Sequence, residues 1–142
     1  MKAVILAGGS GKRLKPLTDE LPKALLPIAG KPLLQWQIEW FHHHGVSSIL
    51  LSVGYLADKI LSYFGDGSRF GVDIDYIVED EPLGTGGGLK AALYQLSVDE
   101  PIYVSNGDVM TDLDLQLIER NRSDQNVVAG MGLVALPSPY GF

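Results

Sequence analysis

The chain has 142 residues, of which 46% are hydrophobic and 20% charged, with a formal net charge of −6 and no cysteine. The length predicts one domain, residues 1–142, with a core of its own, and no apolar run reaches the roughly 18 residues of a membrane span. The negative charge argues against binding to nucleic acid or to a membrane, and the missing cysteines exclude disulfides and thiolate-bound metals, so we expect a cytoplasmic protein.

Apolar runs and helical patterns alternate along the first half of the chain. Residues 2–6, KAVIL, form an apolar run that ends at a glycine pair, as a buried strand would. Residues 32–45 begin with proline, end with glycine and carry apolar residues at helical spacing. The same reasoning predicts a second strand over 47–53 and a second helix over 55–65.

The alternation continues in the second half of the chain. Residues 72–78 alternate apolar and polar side chains, which predicts a strand at the outer edge of a sheet. A glycine-rich turn then leads into a predicted helix over 85–96. The remaining predicted elements are a strand over 101–105, a helix over 111–121 with Asp112 as its N-cap, and a fifth strand over 126–136.

Strands that alternate with helices predict an α/β fold, with a mostly parallel sheet and helices on both faces. In open sheets of this kind, ligands bind beyond the carboxyl ends of the strands. Two glycine-containing stretches follow such ends, residues 7–11 after the first strand and residues 106–108 after the fourth. We therefore expect these two stretches to meet at one edge of the sheet.

The first of these stretches fits neither of two common nucleotide-binding patterns. A Walker loop requires glycine at position 6 and Ser or Thr at position 13, where the chain has Leu6 and Arg13. A G-x-G-x-x-G fingerprint that starts at Gly9 requires a third glycine where Leu14 stands. A tight turn with solvated cations is one remaining interpretation. The other is a phosphate-binding loop, favoured because four of the 11 lysine and arginine residues cluster here: Lys12, Arg13, Lys15 and Lys23.

The carboxylate of Asp108 also has two interpretations. Asn-Gly-Asp is a frequent turn sequence, but the segment after it has a helical pattern, which argues against a hairpin. A carboxylate at the carboxyl edge of a sheet, opposite a phosphate-binding loop, suits a Mg²⁺ ion that also contacts substrate phosphates. We therefore predict that Asp108 is a Mg²⁺ ligand.

Four motifs, in this order, resemble the sugar-1-phosphate nucleotidyltransferase family: LAGGSGKRLKPLT, PKALLPIAGKPLL, EDEPLGTGGGLKAAL and NGDVMTD. The resemblance extends over nearly the whole chain. It implies a Rossmann-like α/β sandwich. It also implies a Mg²⁺-dependent reaction in which a nucleoside triphosphate and a sugar 1-phosphate give a nucleoside diphosphate sugar and pyrophosphate. The stretch EPLGTGG resembles the guanylyltransferases that act on mannose- or heptose-type 1-phosphates.

The resemblance also implies a role for each site residue. Arg13 would steady the phosphates that leave as pyrophosphate, and Lys23 would lie near the α-phosphate and the incoming sugar phosphate. Asp108 would hold Mg²⁺, and Asn106 would lie on the sugar side. The implied nucleotide-binding residues are Leu6, Ala7, Gly8, Gly9, Ser10, Gly11, Lys12, Glu79, Pro82, Gly84 and Thr85.

Several alternatives stay open at this point. The chain could transfer uridylyl or thymidylyl groups to another sugar 1-phosphate, or serve as a non-catalytic nucleotide-binding subunit of the same fold. A cytidylyl- or molybdopterin-type transferase on a related fold is a further alternative. The resembled domain is longer and has a second metal-binding Asp on a later strand, so we expect this chain to be the N-terminal part of such a domain, or a short form completed by another chain. Whether it forms a homo-oligomer is also open.

Overall fold

The computed structural model describes residues 1–96, 100–121 and 127–133, and the chain divides into two compact units, Met1–Met110 and Thr111–Phe142. The first unit holds the sheet. Its strands in the described residues are β1 (Lys2–Ala7), β2 (Pro27–Ile28), β3 (Lys31–Pro32), β4 (Ser48–Val53), β5 (Asp73–Val78) and β6 (Ile102–Asn106). Its α-helices in the same residues are α1 (Leu33–His43), α2 (Ala57–Phe64) and α3 (Gly84–Leu96).

Four of these strands form one parallel sheet in the order β5-β4-β1-β6. The strands and helices predicted between residues 2 and 105 are all present, and their ends differ from the prediction by at most two residues. The predicted outer strand, β5, lies at an edge of the sheet, and β1 lies between β4 and β6. Because all four strands run in the same direction, their carboxyl ends meet at one edge.

The sheet carries helices on both faces. The ring of Phe41 on α1 lies 6.2 Å from the ring of Tyr103 on β6. Val4 is in register with Val104, the residue after Tyr103, so Val4 points to the opposite face. There, Val4 packs with Ala92 of α3 in a buried cluster. The predicted α/β architecture, with a parallel sheet between helices, is thus confirmed.

A short antiparallel hairpin, β2–β3, was absent from the predicted elements. Its turn residues Ala29 and Gly30 both have positive φ angles, 48° and 86°, as a type I′ hairpin turn requires. The indole N–H of Trp36 donates to the carbonyl oxygen of Ile28 at 2.8 Å, and the ammonium of Lys31 lies 3.9 Å from the centre of the same ring. Trp36 therefore fastens the hairpin to α1.

The predicted start of the fourth helix is wrong. Helix α4 spans Leu115–Asn121, and the carboxylate of Asp114 accepts the backbone N–H of Gln116 at 2.9 Å. Asp114 is therefore the residue that caps the helix, and Asp112 is not. Within the described ranges, no helix combines the length and the apolar character that a membrane crossing requires.

The predicted fifth strand is also not found where the structure describes the chain. Residues 127–133 contain no strand, while residues 126 and 134–136 of the same prediction lie outside the described residues. Gly130 and Gly132 interrupt the apolar run, and glycine inside a strand weakens it because it loses much backbone entropy and offers no side chain to pack. Val128 is fully exposed, so its hydrophobicity does not reflect a buried position here.

Candidate active site

A cleft formed by two adjoining cavities opens at the carboxyl edge of the sheet. The cavities enclose about 330 Å³ and about 1030 Å³ and share part of their lining. The cleft is lined by residues that come one or two positions after the end of each strand: Gly8 after β1, Tyr55 after β4, Glu79 after β5 and Asp108 after β6.

The structure brings every predicted site residue to this cleft. The smaller cavity is lined by Leu6, Ala7, Gly8, Gly9, Lys23, Glu79, Pro82, Gly84, Thr85, Asn106 and Asp108, and the larger one adds Ser10, Gly11, Lys12 and Arg13.

The glycines that follow β1 differ in what surrounds them. A Cβ on Gly8 would stand 3.0 Å from the carboxylate of Glu79, so a side chain at this position would push that carboxylate aside. A Cβ on Gly9 would meet no atom within 4 Å, so the backbone at Gly9 is open to an approaching ligand. Gly54, at the end of β4, packs against the carbonyl of Gly8 and supports this turn from the neighbouring strand.

The backbone then turns sharply at Gly11 and leads into the basic residues. Gly11 has a φ of +60°, and Thr18, which is fully buried, donates its hydroxyl to the carbonyl of Gly11 at 2.9 Å. A short 3-10 turn follows and exposes Lys12 and Arg13. Neither residue forms an ion pair with a carboxylate in the part of the chain that the structure describes. Their charges are therefore available to an anion.

Lys15 differs from these two cations. Its ammonium lies 2.9 Å from the carboxylate of Asp19, and the hydrogen bond to Asp19 raises the pKa of Lys15 above its usual range. Lys15 does not line the cleft. This agrees with the absence of Lys15 from the predicted site.

Lys23 returns to the cleft at the start of a second 3-10 turn, in which Ala24 and Leu25 are buried. The ammonium of Lys23 contacts the carboxylate of Asp108, although the two residues are 85 positions apart in the chain. Their side chains are 33% and 42% exposed, so both remain accessible to a ligand. The residue predicted to act on phosphate and the residue predicted to bind metal are thus direct neighbours.

The loop that carries Asp108 is held from below by Gln37, a residue that the sequence did not single out. Gln37 is buried on α1, and its amide donates to the carbonyl of Asn106 at 2.8 Å and to that of Val109 at 3.2 Å. Between them, the buried Gly107 donates its N–H to the carbonyl of Leu6 at 2.8 Å. These bonds fix the backbone on both sides of Asp108.

Glu79 follows β5, the outer strand on the side of the sheet away from Asp108, and closes that end of the cleft. One oxygen of its carboxylate accepts the hydroxyl of Ser52 at 2.6 Å, and the other accepts the N–H of Leu83 at 3.1 Å. A Cβ on Gly88 of α3 would stand 3.1 Å from the same carboxylate. The segment between β5 and α3 is therefore folded around Glu79, and the small residues Gly8 and Gly88 make space for it.

The cleft also includes residues that were not predicted. Gly54 and Tyr55 follow β4, and Asp80 follows β5, just as the glycine loop follows β1, so the rule about strand ends could have found them. Leu14 and Ala24 carry no such signal in the sequence. The unpredicted residues are Leu14, Ala24, Gly54, Tyr55 and Asp80, whereas Gly107 belongs to the stretch 106–108 that was expected at this edge.

A metal ion at this cleft would need ligands from a substrate. Within the described ranges, no group of three or more His, Cys, Asp or Glu side chains is close enough to hold a metal ion. Mg²⁺ takes oxygen ligands, often one or two carboxylates together with substrate phosphates and water. The carboxylate of Asp108 beside a cation-rich loop fits that donor set.

Comparisons with known proteins bear on the whole chain. A family described as nucleotidyl transferase matches residues 2–142. D-glycero-alpha-D-manno-heptose 1-phosphate guanylyltransferase of Aneurinibacillus thermoaerophilus is 40% identical over 87% of this chain and 53% of its own length. N-acetylmuramate alpha-1-phosphate uridylyltransferase of Neisseria meningitidis is 41% identical over 96% of this chain and 60% of its own length.

HddC from Yersinia pseudotuberculosis is a similar protein of known structure. The crystal structure of HddC from Yersinia pseudotuberculosis complexed with GMP-PN matches with a TM-score of 0.75 and 37% identity. The match covers 87% of this chain and 54% of HddC. The chain therefore spans about half the length of the proteins that it resembles.

Proposed function

The chain belongs to the nucleotidyl transferase family, and we propose that it transfers the nucleotidyl group of a nucleoside triphosphate to a sugar 1-phosphate and releases pyrophosphate. We take guanylyl transfer to a mannose- or heptose-type 1-phosphate as the first case. One observation carries the proposal: an open glycine turn, the carboxylate of Asp108 and two cations that pair with no carboxylate among the described residues meet in a single cleft. The chain spans about half the length of its relatives, so the activity and both substrates are proposed for the whole protein.

The chemistry of such a transfer explains the residue types in the cleft. The nucleophile is a phosphate oxygen that is already ionised at neutral pH, so the reaction needs no general base. Its difficulty lies in bringing two anions together and in aligning the attack with the leaving pyrophosphate. Fixed positive charge and backbone N–H donors lower this barrier because they are in place before the reaction begins.

We assign the phosphates of the nucleotide to the cationic side of the cleft. Arg13, together with the backbone N–H groups of Gly11 and Lys12, would bind the phosphates that leave as pyrophosphate. Lys23 lines both cavities, and we assign it to the α-phosphate and the incoming sugar phosphate. Asn106, in the smaller cavity, would face the sugar.

We assign Mg²⁺ to Asp108. The carboxylate is accessible, and its backbone is held by hydrogen bonds on both sides, so it can offer an oxygen at a fixed place. When bound, the ion would neutralise charge on the nucleotide phosphates. The ammonium of Lys23 contacts Asp108 and would also contact the phosphates.

We assign the base to the end of the cleft that contains Glu79. A carboxylate has about four acceptor positions, and Ser52 and Leu83 use two of them, so capacity remains for N–H donors of a base. Guanine presents two neighbouring donors on one edge, whereas uracil and thymine present one. The complex of HddC with GMP-PN supports guanine as the first case. A nucleoside triphosphate substrate also agrees with the expected cytoplasmic location.

Two alternatives follow from specific observations. Identity with a uridylyltransferase is 41%, against 40% with a guanylyltransferase, so uridylyl or thymidylyl transfer is the second case. A non-catalytic nucleotide-binding subunit would also have this cleft. The presence of Arg13, Lys23 and Asp108 together in the cleft favours the enzyme, because these are the residues that the family resemblance assigns to the reacting phosphates and to Mg²⁺.

Calorimetric titration with GTP, UTP, dTTP, CTP and ATP, each with Mg²⁺, tests nucleotide recognition directly. We expect one nucleotide, GTP in the first case, to bind at least about tenfold more tightly than the others, because a base-specific hydrogen bond is worth about that much. Equal binding of all five would contradict a base pocket at Glu79.

A product assay then separates the enzyme from a binding subunit. The preferred nucleotide is incubated with mannose 1-phosphate, a heptose 1-phosphate and glucose 1-phosphate, and the release of pyrophosphate is followed. Pyrophosphate together with a nucleotide sugar supports transfer. Tight nucleotide binding without any product supports the binding subunit instead.

A further inference from the structure

The loop that carries the cations of the cleft has little regular structure of its own. Between the end of β1 and residue 26, the described elements are two 3-10 turns of three residues each, Lys12–Leu14 and Lys23–Leu25. Short 3-10 turns are weakly held by their own hydrogen bonds. The shape of this segment, which we call the basic loop (residues 10–23), must therefore come from side chains that fasten it.

Thr18 fastens the basic loop from inside. Its side chain is completely buried, although most of the neighbouring residues are exposed. Its hydroxyl donates to the carbonyl of Gly11 at 2.9 Å, and its methyl carbon lies against the backbone of the same glycine. A Cβ on Gly11 would also stand 3.2 Å from the Cβ of Lys23. Thr18 thus joins the outgoing arm of the loop, at Gly11, to the returning arm that leads to Lys23.

Tyr55 fastens the basic loop from outside. It follows β4, and its backbone N–H donates to the carbonyl of Gly8 at 3.4 Å. Its hydroxyl lies 2.9 Å from the carbonyl oxygen of Thr18 and 3.0 Å from that of Asp19, so one O–H donor holds two consecutive carbonyls. One residue therefore bonds the start of the glycine turn with its backbone and the returning arm with its side chain.

A second side chain from the same segment strengthens this attachment. The ammonium of Lys59, on α2, contacts the carbonyl oxygen of Glu20, the next residue but one after Thr18. Three consecutive carbonyls of the basic loop, at residues 18–20, are therefore fastened to residues 55–59, which form the turn after β4 and the first turn of α2. That segment is anchored by the buried strand β4.

We propose that Tyr55, acting through Thr18, is a positioning residue that holds Lys12, Arg13 and Lys23 in the arrangement that receives the triphosphate. The inference rests on the proposed function for its ligand, but the fastening itself is a property of the chain without ligand. A loop that is already ordered binds more tightly, because less conformational entropy is lost when the phosphates arrive. Tyr55 does not need to touch the nucleotide to affect its binding.

Limited digestion with trypsin tests the fastening without any ligand. Lys12 and Arg13 are exposed trypsin sites inside the basic loop. When cleavage follows local opening, its rate reports how often the loop opens. We expect cleavage after these two residues to be about fivefold faster in Tyr55→Phe than in the wild-type chain, as the loss of one hydrogen bond predicts.

Tyr76→Phe is the matched control. The hydroxyl of Tyr76 also donates to a backbone carbonyl, that of Gly65 at 2.6 Å, but Tyr76 does not line the cleft. Both variants lose one tyrosine hydroxyl bond of the same kind, so both should melt at slightly lower temperatures. Equal cleavage of the basic loop in Tyr55→Phe and Tyr76→Phe would overturn the proposal.

Nucleotide binding tests whether the hydrogen bonds of Tyr55 raise the affinity for the triphosphate. The probes are the triphosphate that the wild-type chain prefers and the corresponding nucleoside, which lacks phosphates. We expect Tyr55→Phe to weaken binding of the triphosphate about fivefold and to leave binding of the nucleoside unchanged. Equal weakening of both ligands would show a general structural effect and would overturn the positioning role.

Two substitutions of Thr18 separate its hydroxyl from its packing. Thr18→Val keeps the shape and removes the donor to Gly11, whereas Thr18→Ser keeps the donor and removes the methyl group. We expect Thr18→Val to behave as Tyr55→Phe does, and Thr18→Ser to retain most of the triphosphate affinity. If the wild-type chain binds no nucleotide at all, nucleotide binding by this chain is disproved, while the digestion experiment still decides whether Tyr55 holds the loop.

Discussion

Lys23 and Asp108 meet in the cleft because the chain returns to the same edge of the sheet through two different loops. Each residue is partly exposed and each has a backbone that is held independently, Lys23 by the buried Ala24 and Leu25 and Asp108 by Gln37. At the scale of single residues, the two side chains can therefore be changed without removing the structure that supports them.

The substitution Asp108→Asn should abolish the Mg²⁺-dependent part of nucleotide binding and leave the fold intact. The amide keeps the size of the side chain but loses the negative charge that a hard cation requires. Titrations with and without Mg²⁺ should become identical for the variant. Asp112→Asn, an exposed residue that does not line the cleft, serves as the control. A retained dependence on Mg²⁺ in Asp108→Asn would remove the metal assignment.

The substitution Lys23→Ala should lower turnover at least about a hundredfold without changing which base is preferred. The lost charge acts on the reacting phosphates, where electrostatic stabilisation is largest. Turnover of each nucleotide is compared in the variant and in Lys90→Ala, which removes an exposed lysine of α3 that does not line the cleft. A change of base preference would mean that Lys23 faces the base.

The site residues were predictable where a strand ends and unpredictable where a distant side chain supports them. The glycine turn and Asp108 follow strands that apolar runs reveal, whereas Glu79 was expected only from the resemblance of its motif to a known family. Gln37, Thr18 and Tyr55 act through bonds to residues far along the chain, and a lone Gln, Thr or Tyr carries no pattern.

At the scale of elements, the first residue of helix α4 could not be predicted from the sequence pattern. The stretch TDLD offers three side chains that can cap a helix, and spacing alone does not rank them. In the structure, Thr111 accepts the N–H of Leu113 and Asp114 accepts that of Gln116. The hairpin β2–β3 was not predicted, because strands of two residues are too short to show an alternation of apolar and polar side chains.

The substitution Asp114→Ala should destabilise α4 by about 1 kcal/mol, the usual effect of removing an N-cap. Hydrogen exchange of the amides in the first turn, residues 115–117, should become faster in this variant. Asp112→Ala should leave those rates unchanged, since Asp112 does not cap the helix in the structure. The reverse pattern would restore Asp112 as the cap.

At the scale of the whole molecule, the charges are distributed unevenly. The chain carries a net charge of −6, yet residues 12–23 include four of its 11 lysine and arginine residues against two acidic ones, Asp19 and Glu20. A local positive field in an otherwise negative protein attracts a compact anion while it repels extended polyanions from the remaining surface. The charge distribution therefore favours a small phosphate ligand over nucleic acid.

Ionic strength should weaken binding of the triphosphate and leave binding of the nucleoside nearly unchanged. Salt screens charges that solvent reaches, and the Debye length falls from about 10 Å at 0.1 M to about 3 Å at 1 M. We expect the affinity for the preferred triphosphate to fall at least about tenfold over this range, because Lys12 and Arg13 are exposed. A salt-independent affinity would indicate that the basic loop does not contact the phosphates.

Because Lys23 and Asp108 contact each other, each side chain occupies the place that a ligand of the other would take. Under the proposed assignments, a divalent cation at Asp108 would displace the ammonium, and a phosphate at Lys23 would uncover the carboxylate. Thermodynamic reciprocity then requires that cation and phosphate raise the affinity of each other by the same factor. Phosphate alone or metal alone would each have to separate Lys23 from Asp108, which lowers its affinity. A nucleotide with a bound metal ion supplies a new partner to both side chains at once, so it would bind more tightly than either.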